Sequence, residues 1–270
     1  MKKIFIILLS LLFFVTVNSQ IPRFPFHRTS AAADEGGGGN DFLTSLVAYW
    51  ELDEASGTFA DSQGSNTMTE NNGVTYGVTG MGLGDAVGFV RASEEYLNCP
   101  EDASLEWADE SFSFIAWIYL TTLPSGGEHY YIIGGDNGSP GIEIYNDGAT
   151  TTPRVSMLGN DVAAKPSLTV TAESWIFIGG TFDTTLETNS TVYYVNSSSE
   201  TENFTYAWST ATFNNHTTAI GARLTQEGAA SLWFNGTIGQ VGIWKGRILS
   251  PANMAAIYNS GSGLAFTSFE

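Results

Sequence analysis

Apolar and polar side chains alternate with a period of two from residue 46 onwards, and this alternation predicts β-strands. The strongest segment is 111–120, where both alternating sets are apolar. Phe112 and Ile118 fall on one face of that strand, and Ile115 and Trp117 fall on the other. A strand that is apolar on both faces is expected in the centre of a sheet and covered on each side.

Further strands are predicted wherever short apolar or alternating runs stand between turn-forming residues. They cover 46–52, 85–90, 96–98, 130–134, 141–145, 154–158, 167–170, 175–182, 192–196, 218–221 and 237–244. Before the last of them, Asn235-Gly236 is typical of a tight hairpin turn. So many short strands separated by turns predict an all-β fold made of two stacked antiparallel sheets.

One helix is predicted near the C-terminus, over Pro251–Tyr258. Ser250 is a suitable N-cap, and the proline that follows it fits the first helical turn. Met254 and Ile257 belong to an apolar face with three- and four-residue spacing, and Gly261 can end the helix. We expect this helix to cover one end of the sandwich.

Residues 1–19 have the three parts of a secretory signal peptide. Lys2-Lys3 form a basic start, an apolar run covers 4–17, and small residues precede a cleavage site after Ser19. The apolar run is too short to span a bilayer comfortably. We therefore expect a protein that is secreted, at the cell surface or in the periplasm, without membrane insertion after cleavage.

The remaining chain divides into a linker and one domain. Residues 20–42 are rich in Pro, Ala and Gly and predict a flexible linker, whereas 43–270 form a single domain. The only cysteine, Cys99, excludes an internal disulfide, which a domain of this size does not need.

Charge narrows the classes of partner. The net charge is −18 and becomes −20 without the two lysines of the signal peptide. Such an acidic protein is not expected to bind nucleic acid or anionic membranes. The charge is compatible with calcium or with a neutral glycan, although solubility alone also accounts for it.

Six motifs in a fixed order carry a resemblance to a known family. They are YWELDE at 49–54, GMGLGDAVGF at 80–89, SFSFIAWIYL at 111–120, WIFIGGTFD at 175–183, VYYVN at 192–196 and FNGTIGQVGIW at 234–244, the last followed by LSP. Over roughly 46–266 the chain resembles the laminin-G-like jelly-roll domains of the concanavalin A-like lectin/glucanase family, in its bacterial and phage variants. The resemblance implies a two-sheet antiparallel jelly roll with one short C-terminal helix. One departure is Ser197, which stands where the family has Gly, so that hairpin is expected to be longer or looser.

Laminarinase-type glycoside hydrolases share the implied fold, and they need paired carboxylates on alternate residues of one strand. Glu143 and Asp147 would share a face, but Tyr145 stands where the middle acid belongs. The three histidines lack the spacing of a zinc site, and no nucleotide-binding motif is present. We therefore expect no enzyme, although a glycoside hydrolase is kept as an alternative.

The resemblance then favours a secreted, non-catalytic module that recognises a carbohydrate or a glycosylated surface. Its binding site is expected on the concave sheet or on the loops at the rim. The main alternative is a structural or adhesive protein of a cell surface or a virion. The ligand and the oligomeric state are not predicted by the sequence.

Exposed aromatic rings near strand ends are candidates for stacking on a sugar. They are Trp208, Tyr130, Tyr131 and Trp233. Packing at the rim of the sandwich is the alternative role for each of them.

Calcium is a candidate cofactor, because domains of the resembled family often hold an ion near the rim. Asp53, Glu54 and Asp61 lie on and after the opening strand and could supply carboxylate oxygens. The alternative is that Asp61 only stabilises a turn through backbone hydrogen bonds.

Overall fold

The computed structural model describes residues 41–105, 110–135, 141–156, 166–186, 190–203, 217–224 and 229–270. The predicted signal peptide and almost all of the predicted linker lie outside these residues. No helix in the described ranges is long and apolar enough to cross a bilayer.

Within these ranges the chain forms sixteen strands and one α-helix. They are β1 Leu46–Trp50, β2 Thr69–Asn71, β3 Thr75–Thr79, β4 Asp85–Phe89, β5 Tyr96–Cys99, β6 Phe112–Leu120, β7 His129–Gly134, β8 Gly141–Asn146, β9 Thr151–Ser156, β10 Trp175–Phe182, β11 Thr191–Val195, β12 Ser198–Glu202, β13 Thr218–Ile220, β14 Arg223–Leu224, β15 Ala230–Ser231, β16 Gly236–Lys245 and α1 Pro251–Tyr258.

The strands build two main sheets in which every pairing is antiparallel. The larger sheet has eight strands in the order β12-β11-β10-β6-β16-β4-β3, and β1 pairs with the second half of β16. The smaller sheet has six strands in the order β2-β5-β13-β7-β8-β9, and β14 and β15 form a short separate pair. The predicted all-β, two-sheet antiparallel sandwich with one short C-terminal helix is therefore confirmed.

The main core lies between the two sheets. From the central strand β6 of the larger sheet, Phe114 and Ile118 enter this core, and from β8 of the smaller sheet Ile142 and Ile144 enter it. All four side chains are at most 2% exposed. Burying an apolar side chain of this size stabilises the fold by about 2 kcal/mol, so the alternation along these strands determines which face becomes core.

A second apolar cluster covers the outer face of the larger sheet. Ile115 and Trp117 point away from the main core, and they are buried under α1 and the segment that follows it. Tyr258 stacks on Trp117 with 5.9 Å between the ring centroids. The prediction that the central strand is covered on both sides is confirmed, but α1 lies on a sheet face and not at one end of the sandwich.

Helix α1 begins where the sequence predicts. The Ser250 hydroxyl accepts a hydrogen bond from the Asn253 backbone N–H, and the Asn253 side chain accepts one from the Ser250 N–H. The helix ends earlier than Gly261, because Asn259 adopts a left-handed conformation directly after Tyr258. Asn259 therefore provides the C-cap, as asparagine sometimes does in place of glycine.

The two ends of the domain meet on this same outer face. The Phe42 N–H donates to the Phe269 carbonyl at 2.9 Å, and the two rings contact each other edge to face at 5.3 Å. Both side chains are fully buried. Packing thus starts at Phe42, the last residue of the predicted linker.

The predicted and observed strands disagree in two ways: one predicted strand does not form, and several observed strands were not predicted. Residues 167–170 form no strand, because the N–H groups of Ser167 and Leu168 donate to the Glu200 carboxylate instead of to a neighbouring strand. The strands β2, β3 and β12 are absent from the predictions. Their sequences TEN, TYGVT and SSETE are polar and mostly exposed, so they lack the apolar alternation that marks buried strands.

Two predicted turns also differ. Asn235-Gly236 is no hairpin turn, because Gly236 opens β16 and pairs with Leu120 and Phe89 of other strands. The hairpin at Asn196 is tighter than expected: Val195 pairs with Ser198, so the loop has only two residues. Asn196 makes this possible by adopting a positive φ of 54°, a left-handed conformation that asparagine tolerates, so the turn forms without a glycine at position 197.

Candidate functional site

The outer face of the smaller sheet carries a cluster of charged and titratable side chains on neighbouring strands. His129 of β7 pairs with Tyr145 of β8, and Glu143 of β8 pairs with Arg154 of β9. Partners directly opposite each other in an antiparallel pair share a face, and so do residues two positions apart. The four side chains therefore lie together, on the opposite face from Ile142 and Ile144 of the core.

Glu143 is the central group of this cluster. Its side chain has no exposed surface, and its Oε2 lies 2.8 Å from Nδ1 of His129. Its other oxygen, Oε1, is buried and has no hydrogen-bond partner. An ionised carboxylate inside a protein requires nearby donors or positive charge. His129 is the group of the cluster that contacts the Glu143 carboxylate.

Tyr145 is held between two nitrogen-rich side chains. The Arg154 guanidinium lies over the Tyr145 ring, 4.6 Å from its centroid, and the His129 ring centre is 4.5 Å from the same centroid. Tyr145 is half-buried and His129 is 24% exposed, so the edge of the cluster reaches the surface. A ring flanked by a carboxylate, an imidazole and a guanidinium offers the combination of stacking and hydrogen bonding that sugar sites use.

Two of the predicted stacking residues do not have an open ring. Tyr130 points into the main core, where it contacts Phe234 at 6.2 Å and is 4% exposed. Tyr131 is on the outer face, with its ring against Gly134, and is only 2% exposed. The expectation that Tyr130 and Tyr131 have exposed rings is therefore not met, and a stacking role for them stays a prediction.

The other two predicted stacking residues have different outcomes. Trp233 is half-buried, and its Nε1 is buried without a hydrogen-bond partner. Trp208 lies outside the described residues.

The three carboxylates predicted to bind calcium do not form one ligand set. Asp61 uses both oxygens on four N–H donors: Tyr49 N and Gln63 N bond Oδ1, and the backbone and side-chain nitrogens of Asn66 bond Oδ2. Glu54 accepts from Ala60 N at 2.6 Å, and Asp53 is exposed. In the ranges that the structure describes, no three His, Cys, Asp or Glu side chains are grouped to hold a metal ion. The donor set therefore does not fit calcium at these positions.

The carboxylate pair of the glycosidase alternative is not assembled either. β8 ends at Asn146, and Asp147 lies in the exposed turn that follows. There the Asp147 carboxylate accepts from the N–H groups of Ala149 and Thr150, each at 2.9 Å. Glu143 is thus without an acidic partner on its strand.

Sequence reasoning named Glu143 and Tyr145 but missed His129 and Arg154 as members of the site. The missing information is the register, because His129 lies 14 residues from Glu143 in sequence and Arg154 lies on a third strand. The sequence does contain one signal for both residues. His129 and Arg154 are titratable or charged residues within predicted or adjoining strands, where apolar or small polar residues are more common.

Comparisons with known proteins agree with the architecture. A family model described as the Concanavalin A-like lectin/glucanases superfamily matches residues 91–255. A comparison with curated protein sequences finds no match.

Solved structures with a similar fold include three with binding or glycan-related names. A mutant of Trypanosoma rangeli sialidase that displays trans-sialidase activity has 15% identity and a TM-score of 0.56, with 82% of this chain and 34% of that chain covered. Domain 4 of AbnA, an extracellular arabinanase from Geobacillus stearothermophilus in complex with arabinotriose, has 14% identity, a TM-score of 0.56, and coverage of 82% and 98%. The binding domain of botulinum neurotoxin serotype C1 has 14% identity, a TM-score of 0.57, and coverage of 81% and 52%.

The coverage differs strongly among these structures. The chain spans about a third of the sialidase but nearly the whole of the arabinanase domain. At these identities the likeness concerns the fold alone.

Proposed function

Since this chain belongs to the concanavalin A-like lectin/glucanase superfamily, we propose that it is a secreted, non-catalytic module that recognises a carbohydrate or a glycosylated surface. The binding surface in this proposal is the outer face of the smaller sheet, around His129, Glu143, Tyr145 and Arg154. Its partners are glycans or glycoproteins.

The observation that supports this proposal is the difference between the two outer faces of the sandwich. The outer face of the larger sheet is apolar and is covered by α1 and the C-terminal segment. The outer face of the smaller sheet instead holds a buried carboxylate beside an imidazole and an aromatic ring. His129 and Tyr145 bring this cluster to the surface, and a few placed polar groups beside an aromatic ring are typical of ligand sites.

The number of carboxylates on this face favours a binding role over glycoside hydrolysis. Glycoside hydrolysis uses two carboxyl groups about 5 to 9 Å apart on either side of the bond. On the described positions of β7, β8 and β9, Glu143 is the single carboxylate, and Asp147 is bonded within its own turn. The fold itself is compatible with sugar binding, since the arabinanase domain was solved with arabinotriose.

The test is glycan binding by the full chain, first on an array and then by calorimetry with the oligosaccharide that gives the strongest signal. Replacement of Tyr145 by alanine is expected to weaken binding about tenfold, which corresponds to about 1.4 kcal/mol, because it removes the ring on which a sugar would stack. Tyr119→Ala is the matched control, since Tyr119 is also a half-buried strand tyrosine but lies on the larger sheet. Equal loss in both variants, or no glycan bound by the wild type, would contradict the proposal.

The same protein tests the alternatives. Release of reducing sugar from β-glucan that disappears in Glu143→Gln would establish hydrolysis in place of simple recognition. Calcium assistance stays a prediction, and binding measured with added calcium and with a chelator tests it. Attachment to a protein surface that is stripped of glycans would favour the structural or adhesive role.

A further inference from the structure

We infer that the segment 21–26 of this chain docks in the polyproline II conformation on the outer face of the larger sheet, across a row of side chains that α1 leaves open. The occupant is a part of the same chain, and the glycan face proposed above plays no part in the contact. The inference is carried by the register of this row, by the proline spacing of the segment and by the length of chain that joins the two.

The row crosses five neighbouring strands of the larger sheet, from β10 through β6, β16 and β4 to β3. Its members are paired in succession, and they are Trp175, Tyr119, Thr237, Gly88 and Thr75. Directly paired residues share a face, and Trp175 packs with the apolar cluster of the outer face. The whole row therefore lies on the outer face. At about 4.8 Å per strand, it is about 19 Å long.

The cover over this face stops one row short of these residues. Tyr258 of α1 contacts Trp117 and Phe177, with 5.9 and 5.6 Å between the ring centroids. These two residues lie two positions along the strands from Tyr119 and Trp175. The rings of Tyr119 and Trp175 contact each other at 5.9 Å and are half-buried. The row therefore has an aromatic end that is partly open to the surface.

The remainder of the row has small side chains and apolar borders. Thr237, Gly88 and Thr75 form it, and they leave the sheet surface shallow. In the part of the chain that the structure describes, three large apolar side chains are exposed. Two of them, Val90 at 44% and Leu123 at 39%, follow the ends of β4 and β6 at this border. Apolar groups exposed around a shallow surface are typical of an interaction site.

The segment 21–26 has the sequence IPRFPF, with prolines at positions 22 and 25. This spacing is that of the PxxP ligands that bind aromatic-lined grooves. A polyproline II helix has three residues per turn and rises about 3.1 Å per residue, so both prolines share one ridge and six residues span about 19 Å. The segment and the row therefore have the same length.

The chain between the segment and the domain also has a suitable length. The carbonyl of Phe42 accepts a hydrogen bond from Trp244 Nε1 at 2.7 Å, which fixes the start of the domain. Trp244 pairs with Ser113, six residues from Tyr119 on β6, so the row is about 20 Å away.

Residues 27–40 provide 14 residues for this distance, and a flexible linker of 14 residues has a root-mean-square span of about 20 Å. A linker that matches the span gives an effective concentration in the millimolar range. A contact that would be weak between separate molecules is therefore sufficient within one chain.

Charge favours this occupant as well. Residues 20–33 contain Arg23 and Arg28 and no acidic residue, whereas the net charge of the whole chain is −18. Glu173 is exposed two residues before Trp175, and its backbone N–H donates to the Leu120 carbonyl at 2.9 Å. Its carboxylate therefore lies at the aromatic end of the row, where it attracts the arginine between the two prolines. Salt should weaken this attraction.

Trypsin cleavage after Arg23 tests the docking. The full chain without its predicted signal peptide and a free peptide of residues 20–33 are digested in parallel, and their initial rates are compared by mass spectrometry. Cleavage of a rapidly opening segment follows its undocked fraction, so we expect the chain to be cut about fivefold more slowly than the peptide, or slower still. This protection should decrease in high salt. Equal rates for chain and peptide would overturn the inference.

Two single variants locate the contact on the domain. Trp175→Ala removes the aromatic end of the row, and most of the protection, about fivefold, should be lost. Leu186→Ala is the control, since Leu186 is 49% exposed beyond the opposite end of β10 and should leave the protection unchanged. Thermal unfolding checks that both variants are folded. Full protection in Trp175→Ala, or an equal loss in Leu186→Ala, would refute the assignment of the row.

A variant of the segment tests the same contact without a change in the domain. Replacement of Pro22 and Pro25 by serine should abolish the protection, measured against a free peptide with the same two replacements. Combined with Trp175→Ala it should have no additional effect, because both changes remove one contact. Protection that persists without the prolines would contradict the polyproline II conformation.

Protein concentration identifies the occupant. Docking within one chain gives a protection that is the same at every protein concentration. Protection that rises with concentration, together with a dimer in size-exclusion chromatography, would place the segment on a second copy and overturn the inference. None of these readouts depends on a glycan, so the proposed function stands or fails separately.

Discussion

Replacement of Asp61 by asparagine tests whether this carboxylate stabilises a turn or binds an ion. Asp61 accepts four hydrogen bonds of 2.9 to 3.1 Å, from Tyr49 N, Gln63 N and both nitrogens of Asn66. It is 8% exposed and connects the first strand to the loop that follows. Asparagine has the same shape but only one acceptor oxygen.

The magnitude follows from this geometry. Asp61→Asn can keep the two bonds to one oxygen, and its amide N–H group would then face the two donors that lost their partner. A hydrogen bond to a charged group contributes about 1.5 to 3 kcal/mol. Loss of two such bonds predicts that the free energy of unfolding falls by about 3 to 6 kcal/mol.

Urea denaturation with calcium and with a chelator is the assay. We expect the loss to be equal in both conditions, because the donors are N–H groups of the protein itself. The control is Asp53→Asn, since Asp53 is exposed and should change stability by less than about 0.5 kcal/mol. A loss for Asp61→Asn that appears only when calcium is present would refute the argument and restore Asp61 as a calcium ligand.

Three further perturbations follow from single contacts. Gly236→Ala would put a Cβ atom 2.1 Å from the Tyr119 carbonyl oxygen, so the strand must shift and unfolding in urea should become easier by about 3 kcal/mol. Burial raises the pKa of the Cys99 thiol from 9.0 to about 11. Because the unfolded thiol ionises first, the free energy of unfolding should fall by up to about 2 kcal/mol as the pH rises from about 9 to about 11. Ser250→Ala removes the hydroxyl that accepts a hydrogen bond from the Asn253 backbone N–H. The free energy of unfolding should fall by about 1 kcal/mol, which a lower melting temperature would show.

Each of the three has a control in the same element. Gly239→Ala lies in the same strand as Gly236, and its Cβ would meet neighbours only at 3.7 Å, so it should be nearly neutral. Cys99→Val should show a smaller decline in stability above about pH 9. Ser250→Thr keeps a capping hydroxyl and should retain most of the stability. Equal costs for the two alanine variants, or a decline in base that persists without the thiol, would contradict these predictions.

The sequence predicts the fold well where burial determines the pattern. β6, β10 and β16 carry apolar residues on both faces, and both faces are buried in the structure. β12, with the sequence SSETE, has no such pattern and forms because β11 offers it unpaired backbone groups. The alternation of apolar and polar residues predicts which side chains are buried. It does not predict that an exposed polar segment will pair with the unpaired backbone groups of an edge strand.

The candidate site is harder to predict from the sequence than the fold. It depends on the register between strands and on which segments pack over the side chains. Tyr130 and Tyr131 were both expected to have exposed rings, and the sequence gives no information about the packing that leaves them 4% and 2% exposed. Glu143 attracts attention as an acid in an apolar strand. Its contact with His129 follows only from the pairing of β7 with β8.

The junction between Phe42 and Phe269 also affects how the domain would be presented. Both residues lie on the outer face of the larger sheet. The outer face of the smaller sheet, which carries Tyr145, is on the opposite side of the sandwich. A tether attached at either end of the domain would start from this junction. It would leave the outer face of the smaller sheet, which carries His129, pointing away from the tether. Immobilising the protein through either terminus should therefore leave glycan capture equally efficient, whereas coupling through the opposite face should block it.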